Sequence, residues 1–306
     1  KYGNFLKLLG EAQMSTNAST HHDMTRFYFN AIENVEFGIR TLLNGIYAPL
    51  FSEEKLEKMK GPIYQEIRGK SDSKFYHGMY CSYNNLFNQL SFRSIGGTVD
   101  DVKKTTLDEL MLCYDAFYQP SNQMIVVGGN FDKDEVLSII KDFYSKLNIV
   151  KHDVQVINTI EDTNQYGEIH FPTGEEYLEV TYKINLDKYS PDEQLKLDFY
   201  LSYFFNMFFG VTSPLYNRLV KNNIITGSLG CGTTKLGNYL LVSAGSYSDN
   251  LSVLGEEIKK TFNELKDFNE EKFELDKKQT ILDLILRDEN IGSMVMPFVS
   301  NIITYN

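Results

Sequence analysis

The sequence predicts an α/β protein of two domains, and three observations lead to this prediction. The chain has 306 residues, which is enough for two domains of ordinary size. Its residues are 42% hydrophobic and 13% aromatic, so a substantial core can form. Segments with the period of a helix alternate along the chain with segments that have the period of a strand, which is typical of the α/β class.

Apolar spacing and capping residues predict the elements of the first half. The predicted elements are a helix at 2–9 that stops at Gly10, a strand at 26–32, helices at 35–48, 53–66, 75–90 and 107–118, a strand at 123–129 and a helix at 132–147. Ser52 is placed to cap the helix at 53–66, and Thr105 or Thr106 to cap the helix at 107–118. A loop is predicted at Gly96 and Gly97.

The second half repeats this plan after a polar, mixed stretch at 148–165. We place the domain boundary in that stretch, which predicts domains at 1–150 and 151–306. The predicted elements are a strand at 177–185, a helix at 191–209, strands at 224–233 and 239–246 joined as a hairpin, and helices at 251–265 and 270–287. Both halves therefore share a coarse order of strand, helices, hairpin and helices.

Charge and cysteine content limit the compartments and partners. The net charge of −11 argues against nucleic acid or an anionic membrane as partner, because phosphate binding needs a basic face. No apolar run approaches the roughly 20 residues that span a bilayer. The three cysteines, Cys81, Cys113 and Cys231, are widely spaced and predict a reducing compartment such as the cytoplasm.

Short catalytic motifs are absent from the 306 residues. The histidines are His21, His22, His77, His152 and His170, and none has the HExxH, HxxEH or HxxH spacing that places two imidazoles on one zinc. No GxSxG motif or Walker loop occurs either. Taken alone, Glu66 is interpreted as a solvated carboxylate near the end of its helix. Motifs alone therefore assign no catalytic residue within this sequence.

Several weaker motifs occur in a specific order. They are Asn17-Ala18-Ser19-Thr20, Gln65-Glu66-Ile67, Ile95-Gly96-Gly97-Thr98, Phe117-Tyr118-Gln119-Pro120-Ser121-Asn122 and, in the second half, Phe209-Gly210 with Ser213 and Leu215-Tyr216. Together they resemble the M16 metallopeptidases, the insulinase and pitrilysin family. The first resembles the NAxT segment of that family, and the second its distal glutamate. The resemblance extends over nearly the whole chain.

This resemblance implies a fold, a cofactor and a substrate. The fold would be two tandem α/β roll domains, each with an antiparallel-rich sheet covered by helices. Zinc would be the cofactor, with Glu66 as its distal ligand. Peptide would bind as an added strand along an edge lined by Asn17, Ala18 and Thr20. The resemblance also implies a homo- or heterodimer with another M16-like subunit.

The sequence departs from the family pattern at the zinc site and at the substrate clamp. The HxxEH motif is missing, so the resemblance implies a first domain without its first strands and its zinc helix. Met59 stands where many active members carry a second glutamate, and Val220 and Gly227 stand where the family has a clamping arginine and tyrosine. Two readings stay open: a zinc peptidase subunit seen without HxxEH, and an inactive subunit that binds peptide or pairs with an active partner. A third reading is an α/β protein unrelated to proteolysis.

Overall fold

The computed structural model describes residues 4–22, 24–87, 94–147, 166–170, 172, 174–264 and 270–305. The chain divides into two compact units, Lys1–Ile169 and His170–Asn306. Helices and small antiparallel sheets make up both, which confirms the predicted fold class. The stretch in which we placed the domain boundary lies outside the described residues.

The first unit consists of helices and one β-hairpin. Its elements are α1 (Phe5–Glu11), β1 (Ser15–Thr20), β2 (Thr25–Asn30), α2 (Val35–Tyr47), α3 (Glu53–Ser71), α4 (Lys74–Leu86), α5 (Val99–Lys104), α6 (Leu107–Phe117) and α7 (Lys133–Tyr144). The predicted caps are present, because the Ser52 hydroxyl accepts the N–H of Lys55 and Thr106 forms a capping box with Glu109. β1 and α5 were not among the predicted elements.

Two predictions in the first unit are wrong. The first helix continues through Gly10 to Glu11, because the N–H of Ala12 caps it by donating to Leu8 and Leu9. The segment 123–129 belongs to no strand among the described residues. Its apolar side chains have strand character, yet a strand also needs a hydrogen-bonded neighbour. This segment is held by side chains instead: the Tyr47 hydroxyl donates to Oε1 of Gln123 over 2.5 Å.

Packing of two helices forms the core of the first unit. The buried residues of this core are Ile39 and Leu43 from α2 and Val136 and Ile139 from α7. A guanidinium at the rim connects the same helices, since Arg40 donates to Asp142 over 2.9 Å. Arg40 and Lys146 lower the pKa of the Asp142 carboxyl, with the Lys146 hydrogen bond as the larger cause.

The second unit contains a three-stranded antiparallel sheet in the order β3-β5-β4. Its elements are β3 (Tyr177–Asn185), α8 (Pro191–Phe209), α9 (Pro214–Lys221), β4 (Gly230–Leu236), β5 (Tyr239–Tyr247), α10 (Leu251–Asn263), α11 (Glu270–Asp288) and α12 (Ile291–Tyr305). The bounds of β3 and α8 agree with the prediction. β4 begins at Gly230 rather than at 224, and α9 and α12 were not predicted. None of the described helices is both long and apolar enough to cross a membrane.

A larger core stabilises the second unit. Its buried members are Phe205, Phe209, Leu215, Leu219, Ile225, Leu229, Val242, Ala244, Leu254 and Ile258. They come from α8, α9, β5, α10 and the segment between α9 and β4. This core buries whole aromatic rings, which are the largest single contributions to hydrophobic stabilisation.

Gly245 of β5 fits closely against β3 and gives a first testable prediction. A Cβ at this position would lie 2.5 Å from the carbonyl oxygen of Leu178 and 3.0 Å from Cα of Glu179. Because these are backbone atoms of a paired strand, we expect Gly245→Ala to lower the free energy of unfolding by about 1–2 kcal/mol. Denaturant unfolding followed by circular dichroism measures this. Gly232→Ala in β4 is the control, because nothing lies within 4 Å of its added Cβ; an equal loss there would contradict the explanation.

Candidate functional site

The hairpin β1–β2 carries the residues that the sequence assigned to peptide binding. Its strands are antiparallel, with Asn17 opposite Tyr28 and Ser19 opposite Arg26. At the turn, the N–H of His21 donates to the carbonyl of Met24 over 2.7 Å. Hydrogen-bonded and non-hydrogen-bonded pairs alternate in an antiparallel ladder. This register therefore turns the backbone N–H and C=O groups of the intervening β1 residues outward.

The outward-turned residues of β1 are Thr16, Ala18 and Thr20. Among the described residues β1 pairs with β2 alone, so these backbone groups form an open edge. Asn17 and Thr20 are exposed, and Ala18 is half-buried. The Asn17 side chain lies along this edge, because its Oδ1 accepts the N–H of Ala18 over 2.8 Å. We call the outward backbone groups of residues 16–20 the β1 edge.

The second unit contains a hairpin in the same setting. The pair β4–β5 is preceded by α9 and followed by α10, as β1–β2 is preceded by α1 and followed by α2. In the second unit, β3 pairs with the second strand of the hairpin, and no described strand pairs with the outer edge of the first. By this internal repeat, the β1 edge corresponds to the outer edge of β4. That edge has no strand partner among the described residues, although its sheet has three strands.

A polar cluster lies at the turn end of the hairpin, and no sequence motif indicated it. The Arg26 guanidinium lies 2.8 Å from Nε2 of His21 and donates to the Ser19 hydroxyl over 3.3 Å. Arginine can only donate, so Nε2 of His21 is the acceptor in this contact. Ser19 and Arg26 are cross-strand partners. Only the hairpin register could have revealed this cluster.

Glu66, the predicted zinc ligand, lies in α3 and forms an ion pair with Lys70. The distance from Nζ to Oε1 is 2.6 Å, and the Glu66 side chain is 64% exposed. No group of three or more His, Cys, Asp or Glu side chains that could hold a metal occurs among the described residues. One carboxylate does not fit the three or four ligands that zinc takes. The described residues therefore do not form a zinc site by themselves.

The helix that carries Glu66 is anchored by a buried lysine. Lys60 is only 8% exposed, and its ammonium donates to Glu57 over 2.6 Å and to the carbonyl of Lys103 in α5 over 3.1 Å. This contact fixes α3 against α5 six residues before Glu66. Met59 beside it is 54% exposed, so the position that departs from the family pattern faces outward.

Aromatic side chains of α4 connect the hairpin turn to the loop at Gly96 and Gly97. The ring of Tyr80 meets the ring of His22 edge-on with a centroid distance of 6.3 Å, and its hydroxyl accepts the N–H of Ile95. Burial raises the pKa of Tyr80 to about 12, and the hydrogen bond with Tyr76 adds to this effect. Tyr80 is therefore neutral and serves as a structural contact between these segments.

Both positions of the missing clamp, Val220 and Gly227, are exposed in the second unit. Val220 is 41% exposed at the end of α9. The nearby Arg218 is engaged elsewhere, since its guanidinium donates to Glu257 of α10 over 3.0 Å. The second unit therefore offers no arginine at the position of the clamp.

Comparison with protein families and curated proteins gives a consistent result. The profile of the family described as "Peptidase M16 inactive domain" matches residues 104–282. The uncharacterized zinc protease YmfH of Bacillus subtilis is 32% identical over 133 residues, which are 43% of this chain and 31% of that protein. The zinc protease PqqE of Helicobacter pylori is 22% identical over 151 residues, 48% of this chain and 34% of that protein. The match thus spans about a third of the length of these relatives.

Solved structures show the same fold. An M16-like peptidase from Alicyclobacillus acidocaldarius superimposes with a TM-score of 0.82 at 23% identity, over 95% of this chain and 70% of that one. A protease from Helicobacter pylori gives a TM-score of 0.85 at 17% identity, over 99% of this chain and 75% of that one. Both likenesses extend over both units of the chain.

Proposed function

The chain belongs to the M16 peptidase family, and from this premise we propose that it is the peptide-binding part of a zinc-dependent M16 peptidase subunit. The observation that carries the proposal is the β1 edge. An exposed edge strand binds an extended peptide through main-chain hydrogen bonds. Such binding tolerates many peptide sequences, because the backbone groups are the same in all of them.

The proposed peptide lies beside β1 as an added strand. Thr16, Ala18 and Thr20 would each offer it an N–H and a C=O, and the side chains of Asn17 and Thr20 would line it. The second unit supports the choice of the β1 edge over the edge of β2. There the third strand, β3, pairs with β5, the second strand of the hairpin, and leaves the outer edge of β4 open.

We further propose that Glu66 is the one zinc ligand of this chain. The remaining ligands, two imidazoles, would have to come from outside these 306 residues, because no histidine pair of suitable spacing occurs within them. When bound, zinc would supply the activation of water that this family uses for hydrolysis. This chain contributes the peptide edge and the Glu66 carboxylate, which first has to leave Lys70.

Metal content of the full-length protein tests this proposal. We expect one zinc per chain in the unmodified protein and loss of that zinc in Glu66→Ala. Glu54→Ala, at an exposed position in the first turn of the same helix, is the matched control and should keep the metal. Zinc retained in Glu66→Ala, or no zinc in the unmodified protein, contradicts the assignment.

A catalytically inactive subunit is the second candidate, and two observations favour it. Met59 replaces a carboxylate of the family pattern and faces outward, and Glu66 forms an ion pair with Lys70. Such a subunit would bind peptide and pair with an active M16-like partner, as a homo- or heterodimer. It predicts no hydrolysis by the purified protein and hydrolysis after a partner is added. Peptide hydrolysis by the purified protein, abolished by a chelator, excludes it.

For the compartment, we propose the cytoplasm on the basis of the cysteines. Cys81, Cys113 and Cys231 are free thiols, as expected in a reducing environment. A structural relative, PqqL of Escherichia coli, is described as a periplasmic protease. Fractionation of cells that express the full-length protein decides between the two compartments.

A further inference from the structure

The Asn17 side chain occupies the hydrogen-bond donor at the centre of the β1 edge. Its Oδ1 accepts the N–H of Ala18 over 2.8 Å. Ala18 is the middle one of the three residues whose backbone turns outward, with Thr16 and Thr20 on either side. An N–H group donates one strong, linear hydrogen bond at a time. The carboxamide of Asn17 and the carbonyl of an added strand therefore compete for the same donor.

We propose that the Asn17 side chain is a reversible cap of the β1 edge. Without peptide it covers the N–H of Ala18, and it swings away when a peptide strand is added. This inference rests on the proposed function, since it takes the β1 edge as the peptide site. The side chain of Asn17 is exposed, so it can rotate into water. The Asn17 backbone stays paired with Tyr28 of β2, and thus only the side chain has to move.

The cap has a physical reason apart from peptide binding. A strand with unpaired backbone groups is a template for pairing with the edge of another molecule. Proteins commonly protect such edges with charges or prolines, neither of which occurs in Ser15–Thr20. A side-chain amide that satisfies the central donor protects the edge and can still be displaced by a well-aligned peptide. The cap thus lowers peptide affinity by about the value of one net hydrogen bond.

Peptide affinity of the full-length protein measures the effect of the cap. The probe is a fluorescein-labelled decapeptide of alternating valine and threonine with blocked ends, and binding is followed by fluorescence anisotropy. We expect Asn17→Ala to bind it about 2- to 10-fold more tightly than the unmodified protein, which corresponds to one net hydrogen bond. Asn17→Asp keeps an acceptor for the Ala18 N–H and should show no such gain.

Ser15→Ala is the matched control. Ser15 is exposed on the same face of β1, and its backbone is turned toward Asn30 of β2 and not toward the edge. Its removal should leave the affinity unchanged. Amide hydrogen exchange gives a second readout: the Ala18 amide should exchange faster in Asn17→Ala than in Ser15→Ala. Equal exchange rates, or equal affinities of the two variants, overturn the cap.

A fully N-methylated decapeptide separates this inference from the proposed function. Because it lacks backbone donors, it should not bind if the peptide adds as a strand. If the unmethylated peptide binds and the methylated one does not, the result supports strand addition. The affinities of the Asn17 variants then test only whether Asn17 caps the edge. If no variant binds the unmethylated peptide, the β1 edge is not a peptide site and both proposals fall.

Discussion

Phe209→Ala is expected to lower the free energy of unfolding of the second unit by about 3–5 kcal/mol. Phe209 ends α8 and is fully buried. Its ring stacks on that of Phe205 at a centroid distance of 5.5 Å and meets the ring of Phe262 at 4.9 Å. Removal of the ring loses its transfer free energy and leaves a cavity between α8 and α10, which the surrounding core cannot fully close.

Phe199→Ala provides the matched control for this prediction. It is the same substitution in the same helix, but Phe199 is 51% exposed. We expect Phe199→Ala to lower the free energy of unfolding by less than about 1 kcal/mol, because folding removes little apolar area of this side chain from water. Urea unfolding followed by tyrosine fluorescence and circular dichroism measures both, since the chain contains no tryptophan. Similar losses for the two variants would contradict the assignment of Phe209 to the centre of the core.

Asp198→Ala is expected to lower the free energy of unfolding of the second unit by about 3 kcal/mol, because three hydroxyl donors, among them Ser202 in the next turn of α8, lose their acceptor. Asp198 of α8 accepts hydrogen bonds from Thr233 of β4 and from Tyr305 of α12. The Tyr305 side chain is buried, and burial together with the hydrogen bond to Asp198 raises the pKa of its hydroxyl. Without the carboxylate, this buried hydroxyl has lost its acceptor and α12 loses its polar contact with α8.

A double-mutant cycle checks this explanation. Tyr305→Phe alone should cost about 1.5 kcal/mol, and the double variant should cost clearly less than the sum of the single ones, because both remove the same hydrogen bond. Asp192→Ala is the control: this carboxylate lies in the first turn of the same helix and pairs with Lys196 at the surface. Asp192→Ala should lower the free energy of unfolding by less than about 1 kcal/mol. Additive losses for Asp198 and Tyr305 would contradict the coupling.

Prediction from sequence succeeded where the local signals agreed. For α8, Ser190 caps the helix, Glu193 completes the capping box and Pro191 occupies the first turn. For β3, the alternation of apolar and polar residues covers the whole strand. These signals act within four residues of one another, so they can be read without knowledge of the fold.

Prediction failed where an element depends on a distant neighbour. The segment 123–129 has the composition of a strand but no strand partner among the described residues. β4 begins at Gly230 and not at 224, because its pairing with β5 begins there. α12 contains Pro297 in its interior, yet it packs as a helix: Asn290 caps its start by accepting the N–H of Ser293, and Tyr305 and Lys235 bind its end to α8 and β4. Tertiary contacts outweigh weak local preferences in such segments.

By itself, the sequence determined the α/β class, the order of most elements and the resemblance to the M16 family, because periodicity, caps and short motifs are local properties. Tertiary structure alone decided which backbone groups of β1 face outward, that Asn17 covers the N–H of Ala18, and that Glu66 pairs with Lys70. The physical reason is that edge exposure depends on strand register, and a one-residue shift of the register reverses it.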